Sequence, residues 1–189
     1  MNNSKDITAI ILAGGKSSRM GTDKGVVELH GRAMVSHVIA AVNTITDRII
    51  IIANNNNYTQ FGYPVFTDLI KDKGPMGGIV TGLHYSDTEF NLLLSCDIPF
   101  VSEGLLQKLA DYTRSTAIVI AETENGLEPL CGRYHKNCEA EFRSSIDAEI
   151  LSLRKAISAL KFETIKTDST DLVNINTPAE LNRYNVIST

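Results

Sequence analysis

The sequence lacks most of what would mark a secreted, membrane-bound or nucleic-acid-binding protein. Three cysteines stand in 189 residues, Cys96, Cys131 and Cys138, with no Cys-x-x-Cys pair among them. That spacing suits neither a zinc site nor a disulfide framework, so they read as reduced core thiols. No apolar run approaches the ~20 residues that a membrane span needs. Residues 1–6 are polar and the apolar run after them is short, so no secretory leader is expected. Basic residues do not outnumber acidic ones (18 against 22, net charge −4). That balance argues against a nucleic-acid or anionic-membrane partner. Any phosphate ligand must then be held by a local cluster of cations. His30, His37, His84 and His135 show no ligand spacing, and none is assigned as a general base. Apart from the asparagine run 54–57 there is no low-complexity segment, and there is no internal repeat or linker. The default location is cytoplasmic.

What is present is enough apolar residue, 43%, to bury a sizeable core. The length suits one domain, 1–189, with residues 1–6 expected to be disordered. Residues 7–13 form a continuous apolar run, the pattern of a central parallel strand covered on both faces. Further strands are predicted at 48–53, 65–67, 90–95, 117–121 and 162–165, with extended pieces at 26–29 and 127–133. Helical spacing covers 33–45, as Met34, Val35, Val38, Ile39, Val42 and Ile45 share a face. Other helices are predicted at 77–85, 102–112 with Ser102 as N-cap, 137–145, 152–160 and 179–184. For the last, Thr177 would cap, with Pro178 at the first position and Glu180 at the third. Strands alternating with helices imply an α/β fold, a three-layer α/β/α sandwich on a mostly parallel sheet.

The chain is organised around residues 10–25, which begin as a buried strand, break into Gly14 and Gly15, and carry Lys16, Arg19 and Lys24. Freed backbone N–H groups and nearby cations suit an anion such as a triphosphate. A plain strand-to-helix loop is the alternative. The loop is neither a Walker A motif nor a Gly-x-Gly-x-x-Gly fingerprint.

In an open α/β sheet, ligands bind outside the carboxyl ends of the strands. Four predicted strands end there in a polar or glycine group: Gly14 and Gly15, Asn54, Asp68 and Asp97. A carboxylate at the end of a buried strand is costly unless paired or metal-bound, so Asp97 is a candidate Mg²⁺ ligand. The alternative, a cap for the next helix, is better served by Ser102. Lys24 lies on a loop and is the best candidate phosphate cation, against an ordinary surface lysine. Asp68 either starts a turn or lines a pocket. Gly74, Gly77 and Gly78 form a second glycine-rich loop that could let backbone approach a base. Asn174 and Asn176 alternate, so they face one side. Asn176 and Thr177 could also serve only as helix caps.

Five motifs occur in order. They are Leu-Ala-Gly-Gly-x-x-x-Arg-Met-Gly-x-Asp-Lys-Gly (12–25), Gly-Pro-Met-Gly-Gly (74–78), Cys-Asp-Ile-Pro (96–99), Glu-Pro-Leu-Cys-Gly (128–132) and Asn-Ile-Asn-Thr-Pro (174–178). Together they resemble the molybdenum cofactor guanylyltransferases, the MobA-like nucleotidyltransferases, over nearly the whole chain. The resemblance implies a Rossmann-like nucleotidyltransferase fold, with a nucleotide half at about 7–100 and an acceptor half at about 101–189. It implies transfer of GMP from GTP to the phosphate of molybdenum-molybdopterin, with Mg²⁺ as cofactor. Proteins that deliver and accept the cofactor in molybdoenzyme maturation would be partners.

Carried over residue by residue, the resemblance gives Arg19, Lys24 and Asp97 catalytic roles. It places Leu12, Ala13, Gly14, Gly15, Lys24, Asn54, Asp68, Gly78 and Asp97 at the nucleotide. Asp68 would accept either from guanine or from ribose hydroxyls. Arg133, Asn174 and Asn176 would face the acceptor, Arg133 either meeting its phosphate or pairing with Glu128. Asn176 would join Asp97 at the metal. Glu128 departs from the family, where histidine is common. The rival readings are a sister nucleotidyltransferase using CTP or a sugar-phosphate acceptor, and a non-catalytic nucleotide-binding protein. Sister branches usually read Leu-Ala-Ala-Gly, so Gly14 favours guanine.

Overall fold

The computed structural model describes residues 6–13 and 23–186. Gly14, Gly15, Lys16 and Arg19, and residues 1–5 of the expected disordered leader, lie outside the described residues. Asp6 is described, and its carboxylate takes a 2.9 Å hydrogen bond from Arg48.

β1 (Ile7–Leu12) is buried along its whole length. It lies between β4 (Ile49–Ile52) on one side and β6 (Phe90–Ser95) on the other, parallel to both. β5 (Val65–Phe66) adds outside β4, also parallel. Beyond β6 come β8 (Gly126–His135), β7 (Ile118–Thr123) and β9 (Phe162–Lys166). The order is β5-β4-β1-β6-β8-β7-β9. β8 runs antiparallel to both of its neighbours, and β7 and β9 are parallel to each other. The sheet is therefore mostly parallel, with one reversed strand.

Side chains alternate across a strand, and β1 divides its residues accordingly. Ile7, Ala9, Ile11 and Ala13 face a core that holds α1 (Met34–Val42) and α3 (Glu103–Ala110). Ile10 and Leu12 face a second core, built on α2 (Pro75–Tyr85), α4 (Cys138–Asp147) and α5 (Leu153–Ser158). These are the three layers. A short hairpin, β2 (Glu28–Leu29) with β3 (Arg32–Ala33), carries a third small cluster, Leu29, Met34 and Ile175, packed against α6 (Pro178–Val186) through Leu181 and Tyr184. No described helix is long and apolar enough to cross a membrane. The three cysteines are unpaired and buried.

Three local differences from the sequence reading matter. First, α2 begins at Pro75, so Gly77 and Gly78 lie in its first turn rather than in a loop. Gly74 precedes it at φ 57°, ψ −146°, a conformation open to glycine, and proline then takes the first helical position. Second, residues 24–26 form a 3₁₀ turn before β2. Third, β8 extends to His135 and is bulged: Ile120 pairs with Gly132 but Ala121 with Glu128. Residues 129–131 are thus extra on one side, although Cys131 still pairs with Leu94 of β6.

Candidate active site

β5, β4, β1 and β6 are parallel, so their carboxyl ends open on one edge. The chain passes from β1 through α1 to β4 on one side, then through α2 to β6 on the other. The point where the order reverses lies between β1 and β6, which is where ligands bind in such sheets. Leu12 and Ala13 end β1 there, tied in by Ala13 N–H to the Ile52 carbonyl at 2.9 Å and Cys96 N–H to the Leu12 carbonyl at 3.0 Å.

Asp97 stands two residues past the end of β6, after Cys96. Its side chain is 16% exposed, and the Ser95 hydroxyl donates to one oxygen at 2.5 Å. The other oxygen lies 3.6 Å from the Lys24 ammonium. Lys24 also donates to the Asn176 side-chain oxygen in a short contact. Lys24, Asp97 and Asn176, 152 residues apart at the extremes, therefore meet at one point. The segment carrying Asn176 is pinned by Ile175 N–H donating to the Asp97 carbonyl at 3.0 Å. The cap of α6 is made without the Asn176 side chain. Thr177 Oγ accepts from Glu180 N–H, and the Glu180 carboxylate accepts from the Asn176 and Thr177 N–H groups. This is a reciprocal capping box. Its backbone donors, that of Asn176 first, hold the Glu180 carboxyl below its usual range. The Asn176 amide side chain takes no part in the cap and points to Lys24.

Lys24 is held in place from behind. Asp23 accepts from the Tyr58 hydroxyl, from Asn55 Nδ2 at 2.7 Å and from Gly25 N–H at 3.3 Å. Tyr58 is fully buried and packs so close to Gly25 that a Cβ there would collide with its ring. Burial and the neighbouring acid push the Tyr58 phenol up, so it stays a donor. Asp23, Asn55 and Tyr58 were not singled out from sequence. Asp23 lay inside the opening motif, and Tyr58 was the one aromatic in a polar stretch.

A second cluster forms at the β4 and β5 ends. Asn54 and Asp68 bond reciprocally: Asn54 Nδ2 donates to the carboxylate at 2.8 Å, and Asp68 N–H donates to Asn54 Oδ1 at 3.0 Å. The asparagine run thus has a fixed register, Asn54 to Asp68 and Asn55 to Asp23. Gly78 brings α2 against both Asp68 and β1. A Cβ at Gly78 would lie 3.2 Å from Leu12 Cδ2 and 3.6 Å from Asp68 Oδ1, and one at Gly77 would lie 2.5 Å from the Ile70 carbonyl oxygen.

A cavity of about 280 Å³ adjoins Asp97 on the side of the reversed strand. Asn174, Glu128 and Arg154 are among its polar walls, and Pro129, Leu130 and Leu153 among its apolar ones. Arg154 reaches over from α5, its guanidinium donating to the Leu127 carbonyl at 2.6 Å. The sequence held no signal for it, since an arginine near the start of a short helix reads as a solvated surface group. Burial chiefly, with Asp97 as a lesser cause, raises the Glu128 carboxyl, while Arg154 draws it back.

Arg133 requires a correction. It lies at the far end of β8, paired in register with Leu92 and stacked 4.2 Å from the Phe90 ring centre, at the opposite edge of the sheet. It is 3% exposed. Its guanidinium donates to the carbonyls of Tyr112 (a short contact) and Thr116 (3.4 Å). It neither lines the cavity nor bonds to Glu128. Burial lowers its pKa, and its role here is to tie α3 and its following loop to the sheet.

Fold and site together fit a nucleotide-handling α/β protein, with the candidate ligand groups on the carboxyl edge of the sheet. A family model described as the MobA-like NTP transferase domain matches residues 9–163. A protein of Flavobacterium johnsoniae named "Probable molybdenum cofactor guanylyltransferase" is 38% identical over 184 residues, covering 95% of this chain and 97% of that protein. The structure of molybdopterin-guanine dinucleotide biosynthesis protein A from Archaeoglobus fulgidus has a TM-score of 0.80 at 21% identity, covering 95% and 97%. That of 4-diphosphocytidyl-2C-methyl-D-erythritol synthase from Anaerococcus prevotii has a TM-score of 0.75 at 16% identity, covering 98% and 99%. The last two show the shared fold. The chain belongs to the molybdenum cofactor guanylyltransferase family of MobA-like nucleotidyltransferases.

Proposed function

We propose that this protein transfers GMP from GTP to the terminal phosphate of molybdenum-molybdopterin, releasing pyrophosphate and forming the guanine dinucleotide cofactor. The observation that carries the reading is the meeting of Lys24, Asp97 and Asn176 where the strand order reverses. The family's substrates supply the identities, and the chemistry of the site is consistent with them. An acceptor phosphate oxygen forms a bond to the α-phosphorus of GTP. The bond from that phosphorus to the bridging oxygen breaks, and pyrophosphate leaves with the electron pair. The nucleophile is already an anion, so no general base is needed. The demands are alignment and charge neutralisation.

Lys24 answers the second demand. Its ammonium, facing Asp97 and Asn176 on a turn whose backbone is held by Asp23 and Tyr58, would take up charge as pyrophosphate forms. Arg19, carried over from the family motif, is proposed for the same task. Asp68, with Asn54 orienting it, would accept from the guanine edge or from ribose hydroxyls. Gly78 lets α2 pack against Asp68 and the β1 end, which sets where that approach is made. Arg154 and Asn174, in the adjoining cavity, would hold the acceptor's phosphate end in line.

Among the described residues no group of three or more His, Cys, Asp or Glu is placed to hold a metal ion. Magnesium fits the oxygen donors present all the same, since it binds through one or two carboxylates plus substrate phosphates and water. Asp97 and the Asn176 amide oxygen would hold Mg²⁺, which when bound would supply charge neutralisation for the triphosphate. A cytoplasmic location, and handover from and to proteins of molybdoenzyme maturation, belong to the same proposal. The test is pyrophosphate release from GTP with molybdenum-molybdopterin as acceptor. The expected result is stoichiometric pyrophosphate and guanine dinucleotide. GTP binding without pyrophosphate release would instead mark a non-catalytic nucleotide-binding protein.

A further inference from the structure

The bulge in β8 turns the backbone of 128–130 toward the cavity beside Asp97. Bulges re-aim side chains in this way. It is fastened from the core, where the fully buried Tyr134 donates its hydroxyl to the Pro129 carbonyl at 2.6 Å. The result is a half-buried Glu128 carboxylate on the cavity wall that accepts no hydrogen bond from any described residue. Around it the cavity is largely apolar, with Ile98, Pro129, Leu130, Leu153 and Leu172 on its walls. Such a lining suits a flat heteroaromatic ring, whose faces want apolar contact and whose edge wants a partner.

A carboxylate is acceptor-only and has two oxygens side by side. Its complement is a pair of adjacent N–H donors. A pterin carries that pair on its 2-amino-4-oxopyrimidine edge, at N3 and the 2-amino group. We propose that Glu128 selects the acceptor by accepting both N–H groups of this edge, with the ring held between the apolar walls of the cavity. The assignment rests on the transferase reading for the identity of the acceptor, but the recognition itself is a property of the cavity. It gives a purpose to the glutamate that stands where family members commonly have histidine. Arg154, which reaches Leu127 in the same wall, keeps the site from being purely acidic. Two donors on the carboxylate would also favour its ionised form against the burial that raises it.

The test is fluorescence titration of the intact protein with pterin and with lumazine, which has a carbonyl in place of the 2-amino donor. Wild type should bind pterin about tenfold or more tightly than lumazine. Glu128→Gln, of the same shape but with a donor on one arm, should bring the two within about twofold. Glu128→His, the residue common in the family, serves as a second variant and should lose the discrimination too. An unchanged pterin preference in both variants would overturn the proposal. So would a wild type that turns over GTP with the molybdenum-molybdopterin acceptor yet does not distinguish the two probes. Selective pterin binding without any GTP binding would uphold the role of Glu128 and remove the transferase reading.

Discussion

Lys24 and Arg133 are both cations that the sequence offered as phosphate contacts, and they lie at opposite edges of the same sheet. Lys24 is 23% exposed, faces Asp97 and Asn176, and is steadied by a buried tyrosine through Asp23. Arg133 is almost wholly buried, stacks on Phe90 and bonds only to main-chain carbonyls. The difference teaches that a cation's use follows from what it faces. A cation opposite a strand-end carboxylate can exchange that partner for a ligand. A cation buried under an aromatic ring, with both terminal amino groups bonded to backbone carbonyls, cannot, and it acts on stability instead.

That contrast gives a ranked set of expectations. The largest effect belongs to the carboxyl edge. Asp97→Ala should lower turnover by about a thousandfold or more with little change in melting temperature. Near wild-type pyrophosphate release at saturating Mg²⁺ would remove Asp97 from the mechanism. Arg133→Ala should behave in the opposite way. Losing the stacked side chain and unsatisfying two carbonyls should cost roughly 3 kcal/mol, a fall in Tm on the order of 6–12 °C. The KM for GTP should stay within about twofold. A selective rise in the acceptor KM with normal Tm would return Arg133 to the site and break the comparison.

Lys24→Ala should reduce kcat/KM by about 10–100-fold and weaken GTP binding. Unchanged affinity together with unchanged rate would contradict its role. Tyr58→Phe sharpens the same point from one step back. Removing the hydrogen bond to Asp23 should cost about 1 kcal/mol, seen as a several-fold loss of rate with the fold intact by circular dichroism. A loss confined to stability would make Tyr58 a core residue and no more. The smallest effect concerns the Asn176 segment. The Glu180 carboxyl is held low in the folded protein by backbone donors. Its capping stabilisation is therefore fully present above the ordinary glutamate range and is lost as pH falls through the lowered value. In an NMR titration the Asn176 and Thr177 amide resonances should move together below that range. Movement at the ordinary glutamate pKa would show that the box contributes nothing.

Most of the sheet was legible because buried parallel strands write themselves as unbroken apolar runs. β1, β4 and β6 are read directly from Ile7–Leu12, Ile49–Ile52 and Phe90–Ser95. The α6 cap was legible for the same local reason, since Thr177, Pro178 and Glu180 are adjacent in sequence and in space. The start of α2 was misplaced because Gly-Pro-Met-Gly-Gly has loop composition. Only the close approach of α2 to Ile70 and Leu12 explains why glycine is needed inside a helix.

Arg133 was misplaced because the spacing of a strand does not give its direction. β8 is antiparallel to β6, and a strand advances about 3.3 Å per residue. Residues after Glu128 therefore run away from the carboxyl edge, and Arg133 comes opposite Leu92 with its guanidinium over Phe90, at the amino end of β6. Arg154 and the Asp23–Tyr58 clamp were invisible for a different reason. Each acts through a contact made by the fold between segments far apart in sequence, and neither residue type is unusual where it stands.

The most direct test of the central claim, that a guanine nucleotide occupies the carboxyl edge between β1, β5 and β6, is calorimetric titration of GTP, CTP, UTP and ATP with Mg²⁺ into wild type and Asp68→Ala. The account predicts selective GTP binding in wild type and a marked loss of that selectivity in Asp68→Ala. Preference for CTP or UTP, or no nucleotide binding at all, would contradict it.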